Sequence, residues 1–319
     1  MDKKINFAVI GPGNIAEVVL QAMKGKVDIT NYAVASRDID RANNFKEKHG
    51  FLKAYNSYEA LYRDSNIDLV YIATPHAFHY EQMIQCILNK KNIICEKAFT
   101  IGSKQAEEVL TLAKTHSVFV TEAMLPAYLP SRTFIKELIK SKEIGDLVSY
   151  KGVFANNLMH VERVVNKSLG GGALFDIGIY PLYFAISTFG IDFKIEDIKI
   201  KPLNGVDITT EFTLTYANGF NAHIFTSVEE SAGIYADIFG TKGRIHIENI
   251  ARPSKITIYD LDDKEVRVID AIRSTSGYEY EFQAAVDAIK NKKIECDQMR
   301  HQDTLILMQS MDYVLAHLG

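Results

Sequence analysis

The feature that most narrows what this chain can fold into is a short glycine turn near its start. Gly11-Pro12-Gly13-Asn14-Ile15-Ala16 follows an apolar run, Asn6 to Ile10, and opens an amphipathic stretch, Ile15 to Met23. A strand, a glycine turn and a helix in that order form the context in which a weak glycine pattern becomes a dinucleotide fingerprint. Gly11 permits the tight turn and Gly13 admits backbone close to a pyrophosphate. Ala16, in the place of a third glycine, still lets helix pack on strand. Free N–H groups and the dipole at the helix N-terminus then hold the phosphates, so Gly11, Gly13, Asn14 and Ile15 are candidate cofactor contacts. A turn that only joins strand to helix is the plainer alternative.

The pattern beyond the turn supports the fingerprint. Strand-like runs at Asn6 to Ile10, Tyr32 to Ser36, Leu69 to Ala73, Ile93 to Glu96 and Val118 to Glu122 alternate with helical patterns. Those helices are expected at Ile15 to Met23, Ile39 to His49, Tyr58 to Arg63, Tyr80 to Asn89 and Ser103 to Thr115. Regular alternation predicts a doubly wound α/β fold, a parallel sheet with helices on both faces. After Pro126 and Pro130 the pattern changes to helices at Arg132 to Ser141 and Ala173 to Phe189. Strand-like segments follow from Glu211 to Ile269, with hairpin signals at Ala217-Asn218-Gly219 and Gly240 to Gly243. The second half therefore reads as α+β with a large, mostly antiparallel open sheet, and helices resume at Tyr280 to Lys290 and His301 to His317. At 319 residues the chain exceeds the usual single core, and we expect a dinucleotide-binding domain over 1–123 and a substrate and oligomerisation domain over 124–319.

Charge and composition narrow the partners. A formal net charge of -4 with scattered Lys and Arg gives no basic stripe for nucleic acid. The run Lys290 to Lys293 reads as a helix C-terminus facing its own dipole. The opening Met1-Asp2-Lys3-Lys4 leads directly into a strand, and no apolar run approaches the roughly 20 residues that cross a bilayer. A cytoplasmic protein without a membrane partner is expected. Cys86, Cys95 and Cys296 lack metal or disulfide spacing and read as reduced core thiols; no metal site is expected.

Residues past the carboxyl ends of parallel strands carry the candidate chemistry. At the end of the second strand, Ser36 and Arg37 stand where an NAD site would place an acid, and Arg41 follows one helical turn later. A hydroxyl and two guanidinium groups suit a 2'-phosphate, which favours NADP, with NAD as the alternative. Asp38 is either the ribose acid shifted by two places or the cap of the next helix. Thr74-Pro75-His76 with His79, and Glu96-Lys97-Ala98, follow later strands, and Lys97 is a cation able to polarise a carbonyl or lower the pKa of a neighbouring acid. In Gly170-Gly171-Gly172-Ala173-Leu174-Phe175-Asp176-Ile177-Gly178-Ile179-Tyr180, Asp176 and Tyr180 are four apart and share one helix face. Tyr180 becomes a useful proton donor only beside a cation such as Lys97; a core tyrosine anchored by Asp176 is the alternative. His160, Glu162 and Arg163, upstream, read as surface charge on a loop.

Together these segments resemble the glucose-fructose oxidoreductase, inositol dehydrogenase and MocA family over nearly the whole chain. The Asp-x-x-x-Tyr form is most similar to its dihydrodiol dehydrogenase and glucose-fructose oxidoreductase members. The resemblance implies Lys97 and Tyr180 as a catalytic pair, with Asp176 and His79 lining the substrate site. It implies Ser36, Arg37 and Arg41 as holders of the NADP phosphate, and Thr74, Pro75, His76, Glu96 and Lys97 beside the cofactor. The substrate it implies is a small sugar, polyol or diol. Ala98 replaces the family's usual proline, and Ala123 to Tyr128 lacks the family's usual aromatic and Arg residues. An NAD-dependent glycosidase and a non-catalytic dinucleotide sensor are the rival readings within the family. A homodimer or higher homo-oligomer through the second sheet is expected.

Overall fold

The computed structural model describes residues 4–270 and 276–318. Residues 1–3, on which the expectation about the start of the chain partly rests, lie outside them.

The first sheet is built from strands β1 (Ile5–Ile10), β2 (Ile29–Ala35), β3 (Lys53–Tyr55), β4 (Leu69–Ile72), β5 (Asn92–Glu96) and β6 (Val120–Ala123). Its order is β3-β2-β1-β4-β5-β6, all parallel. Helices α1 (Asn14–Met23), α2 (Ile39–His49), α3 (Tyr58–Arg63), α4 (His79–Leu88) and α5 (Ser103–His116) connect the strands. The predicted doubly wound fold is present. β3 escaped the sequence reading because three residues, one exposed and two half-buried, carry no periodicity. Strand order reverses between β1 and β4, which makes their carboxyl ends the topological switch point.

The first compact unit also takes in residues 275–305, so its boundary is not the single cut near residue 123 that the sequence suggests. Helix α10 (Tyr278–Lys290) explains the return. Its Phe282 is fully buried and meets Tyr71 and Phe7 edge-on at 5.2 and 5.7 Å, completing the core on one face of the sheet. The following segment caps the sheet edge, where Val120 N donates to the Ile294 carbonyl at 3.0 Å. Lys290 sits in the last turn of α10, Lys290 pairs with Asp28 and Lys293 with Asp297, so the basic run is a solvated helix end.

The second unit holds residues 125–274 and 306–319. It contains α6 (Leu125–Tyr128), α7 (Pro130–Lys140), α8 (Glu162–Val165), α9 (Ile179–Phe189) and strands β7 (Leu147–Ala155), β8 (Phe193–Leu203), β9 (Val206–Tyr216), β10 (Asn221–Ser227), β11 (Gly233–Gly240), β12 (Gly243–Glu248), β13 (Lys255–Tyr259) and β14 (Glu265–Asp270). Helix α11 (His301–Leu315) closes the described chain. The eight strands run β14-β13-β12-β11-β7-β10-β9-β8, antiparallel except where β7 lies parallel to β10. The inward residues of β9 and β10, Phe212, Leu214, Ala222 and Ile224, are fully buried. A helix of the same chain covers that face: Tyr150 stacks on Phe184 at 5.4 Å and donates its hydroxyl to the Pro181 carbonyl.

The segment Lys167–Phe189 is long and apolar enough by composition to cross a membrane, contrary to the reading of the sequence, and 89% of its window is buried inside the protein. That is the place of a core helix. Cys86, Cys95 and Cys296 are buried and form no disulfide among the described residues.

Placing Phe282 in the core of the first unit has a measurable consequence. Phe282→Ala should cost about 3–5 kcal/mol in urea unfolding, while Tyr280→Ala on the exposed side of the helix should stay within about 0.5 kcal/mol. Equal effects would remove α10 from that core.

Candidate cofactor and catalytic sites

At the switch point, β1 ends at Ile10 and the chain turns through Gly11, whose φ is +88°. A Cβ at Gly11 would lie 2.8 Å from the Ala73 carbonyl oxygen just past β4, so only glycine brings the two strand ends this close. Helix α1 then starts with Gly13 as its N-cap and no side-chain cap. The first-turn N–H groups of Asn14 and Ile15 are thus left without a capping side chain, which fits a pyrophosphate. Helix α2, by contrast, is capped by its own residue: Asp38 Oδ1 accepts from Asp40 N at 2.9 Å and Arg41 N at 3.1 Å.

That capping makes Asp38 the N-cap of α2, one of the two readings the sequence leaves open. Around it, Ser36 is buried and its Oγ accepts from Asp38 N, while Arg37 and Arg41 are exposed. Arg41 Nε donates to the Pro12 carbonyl at 2.9 Å, which brings a guanidinium against the glycine turn. Arg37 lies 5.7 Å from the centre of the Phe78 ring. Tyr58 is pushed up by burial and held back by Arg37 and Arg41, which places its hydroxyl in the same cluster. Tyr58 and Phe78 were missed because neither follows a strand end directly.

The loop after β4 is fastened to the loop after β5 by two histidines. His76 Nε2 lies 3.1 Å from the Lys97 carbonyl oxygen, and His79 Nδ1 lies 2.9 Å from that of Ala98. His79 Nε2 is 2.8 Å from the Thr74 carbonyl oxygen. Both carbonyls favour a protonated ring, burial opposes it, and burial prevails, so one ring N–H donates and the tautomer decides to which. With no exposed surface and both nitrogens directed at backbone, His79 positions these loops instead of lining a substrate site as the resemblance implied. Thr74 donates its hydroxyl to Gln82, and Pro75 precedes the 3-10 turn His76–Phe78. The Lys97-Ala98 peptide is cis at the position of the family's usual proline. Lys97 itself is partly exposed, and Tyr71 donates its hydroxyl to the neighbouring Glu96.

In the second unit the glycine run leads into a π-helical turn, Leu174–Gly178, before α9 begins at Ile179. The uninterrupted α-helix expected from sequence is therefore widened between Asp176 and Tyr180, a geometry that recurs at functional sites. Tyr180 is half-buried and stacks on Phe154 at 5.6 Å. Asp176 is 2% exposed and receives a short hydrogen bond from Arg163 Nη1. Arg163, exposed like His160 and Glu162, is thus a surface cation that pairs with a buried carboxylate.

Asp207 escaped the sequence reading altogether. From the start of β9 it accepts from Leu174 N at 2.8 Å and Thr210 Oγ1 at 2.7 Å, capping the helix that carries Asp176 and Tyr180. A Cβ on Gly172 would fall on this carboxylate, and the φ of Gly172 is +133°, which gives that glycine a reason to be there. Nothing in the 33 residues separating Asp207 from Leu174 signals the contact.

A groove of about 720 Å³ lined by Met23, Lys24, Asn31, Lys48 and His49 lies at the far ends of α1 and α2 from the glycine turn. It is not at the carboxyl edge where ligands of this fold bind. Among the described residues no group of His, Cys, Asp and Glu is placed to hold a metal ion.

Capping by Asp207 is open to test. Asp207→Ala should cost about 1–3 kcal/mol in urea unfolding by stranding Leu174 N and Thr210, and Asp207→Asn, which keeps an acceptor oxygen, should cost clearly less. Equal losses would refute the capping role.

Comparison with known proteins agrees with this architecture. Residues 5–124 match the oxidoreductase family with an NAD-binding Rossmann fold named GFO/IDH/MocA, and residues 133–246 match a GFO/IDH/MocA C-terminal domain. The chain is 32% identical over 327 aligned residues to a trans-1,2-dihydrobenzene-1,2-diol dehydrogenase of Xenopus tropicalis, covering 98% of each. Its human counterpart is 33% identical over 220 residues, 68% of this chain and 66% of that one. Among solved structures, a 3-ketoreductase from Actinomadura kijaniata in complex with NADP and TDP-benzene is similar with TM-score 0.91 at 22% identity, covering 98% of both chains. An aldose-aldose oxidoreductase from Caulobacter crescentus complexed with glycerol has TM-score 0.87 at 16% identity, covering 98% of this chain and 97% of that one. The chain belongs to the GFO/IDH/MocA family of NAD(P)-dependent oxidoreductases.

Proposed function

We propose that this oxidoreductase moves a hydride between NADP(H) and the carbinol carbon of a small sugar, polyol or diol. The observation that carries the cofactor choice is the cluster at the end of β2. Asp38 caps α2, while Arg41 rests on the glycine turn and shares Tyr58 with Arg37, an arrangement that suits two guanidinium groups to a 2'-phosphate. The substrate class follows the relatives and structural neighbours, whose names specify a diol dehydrogenase, a 3-ketoreductase and an aldose-aldose oxidoreductase.

When bound, the dinucleotide supplies the hydride donor or acceptor. The chain's own residues would do the rest. The uncapped N-terminus of α1 would bind the pyrophosphate. His76 and His79, by gripping the carbonyls of Lys97 and Ala98, would keep Thr74, Pro75, Glu96 and Lys97 in register beside the nicotinamide end. Tyr180 would give its phenol proton to the substrate oxygen in reduction and take it back in oxidation. Because a free phenol releases its proton only near pH 10, the ammonium of Lys97 would be needed to stabilise the phenolate. Asp176, held by Arg163, would orient Tyr180 or a substrate hydroxyl.

The acid–base assignment predicts that Tyr180→Phe and Lys97→Met each lower kcat for NADPH oxidation by roughly 10²-fold or more on a carbonyl panel, the usual scale of general acid catalysis. The double variant should lose little beyond the worse single variant, as expected of residues serving one proton transfer. If both single variants bind cofactor and keep near-full activity, the pair is wrong. For the cofactor, Arg37→Ala should raise KM for NADPH roughly tenfold and leave NADH within about twofold, the scale of a lost charge-assisted hydrogen bond. Equal changes for both cofactors would return the choice to NAD. Net accumulation of oxidised cofactor with product separates this reaction from a glycosidase that re-reduces its own substrate, and any turnover separates it from a sensor.

A further inference from the structure

Helix α10 carries a carboxyl that the proposed chemistry does not use. Glu281 has no exposed surface, and neither of its oxygens has a hydrogen-bond partner. Its neighbour Phe282 packs against Tyr71, and Tyr71 donates to Glu96, the residue before Lys97. Glu122, from β6, is also fully buried; its oxygens accept from Phe99 N at 3.2 Å and Thr304 Oγ1 at 3.0 Å. Glu281 feels the charges of Glu96 and Glu122, and Glu122 feels that of Lys97. Three carboxyl groups from β5, β6 and α10 thus face one another beside Lys97, Glu122 and Glu281 fully buried and Glu96 partly exposed.

An ionised carboxylate without a hydrogen bond cannot be held in such a place; it takes up a proton instead. We infer that Glu281 is a proton-holding positioning residue, neutral beside Glu96 and Glu122, so that its ionisation adds a negative charge to the acidic cluster next to Lys97. Burial first, and then Glu96 and Glu122, push its carboxyl well above the usual range; burial also pushes Glu122 up to about 7. The titratable groups that face it are Glu96 at the end of β5, Glu122 of β6 and Tyr71 of β4; Lys97 in turn faces Glu122, and Tyr278 of the same helix faces Tyr71. Cys95, also buried among these acids, is pushed far up by burial and stays a neutral thiol.

The consequence for the reaction rests on the reading of Lys97 given above. When the third carboxyl ionises, the field that Lys97 exerts on a phenol is offset, and the rate falls on the alkaline side. Folding carries a second consequence that needs no activity. A carboxyl whose proton is held more tightly in the folded than in the unfolded chain contributes stability at low pH. That contribution is lost as pH rises from the unfolded value toward the folded one.

The test is Glu281→Gln, the neutral near-isostere, compared with wild type in urea unfolding between roughly pH 5 and 8. Wild type should lose up to about tenfold more in its folding equilibrium constant per pH unit than the variant, the signature of one extra held proton. Parallel pH dependences would overturn the proposal. If Glu281→Gln fails to fold, Glu281→Leu, which keeps the site apolar, serves the same comparison with the same two outcomes. In the second arm, the alkaline limb of the NADPH oxidation profile should move up by roughly one pH unit in the variant. An unmoved limb together with the stability difference would keep the held proton and discard its action through Lys97. No oxidation by either protein would count against the proposed reaction and leave the unfolding comparison to decide on Glu281.

Discussion

The backbone at Gly11 passes so near the carbonyl of Ala73 that no side chain fits between them, and the carboxyl edge of the first sheet is arranged around that approach. It brings the ends of β1 and β4 together where strand order reverses, and it aims an uncapped helix N-terminus outward from the sheet. Arg41 comes to rest on the turn through the Pro12 carbonyl, and Arg37 shares its surroundings with Phe78 and Tyr58. The loop beyond Ala73 in turn carries the two histidines that grip the Lys97-Ala98 segment. One steric allowance thereby links the glycine turn to the segment carrying Lys97 along the same sheet edge.

Polar groups inside the protein are arranged to hold backbone as often as to meet a ligand. His79 spends both nitrogens on carbonyls, Asp38 and Asp207 spend their carboxylates on helix N-termini, and Arg163 answers the buried charge of Asp176. Such groups look catalytic in a sequence, since they are polar residues near strand ends. Their geometry makes them supports for the backbone and side chains around them.

What the sequence made legible follows the range of its signals. Strand–turn–helix order, Asp38 before a helical pattern and the hairpin glycines act within a few residues, and the fold class could be read from them. β8 was invisible because it alternates charged and apolar residues at the sheet edge with little burial, and β7 because its neighbours in the sheet come from far along the chain. The return of α10 to the first unit, the cap from Asp207 and the gathering of Glu96, Glu122 and Glu281 all join residues distant in sequence. Periodicity carries no information about such pairings. The π turn before Tyr180 replaced an expected straight helix because glycines and a strand-borne cap set its first turn.

The most direct measurement of the central claim is isotopic. NADPH carrying deuterium at the transferable C4 position is incubated with the protein and a diketone or ketose, and the product is examined by mass spectrometry. The account predicts one deuterium at the new carbinol carbon and one oxidised cofactor for each product molecule. Product without the label, or chemical change without net oxidation of the cofactor, would contradict it.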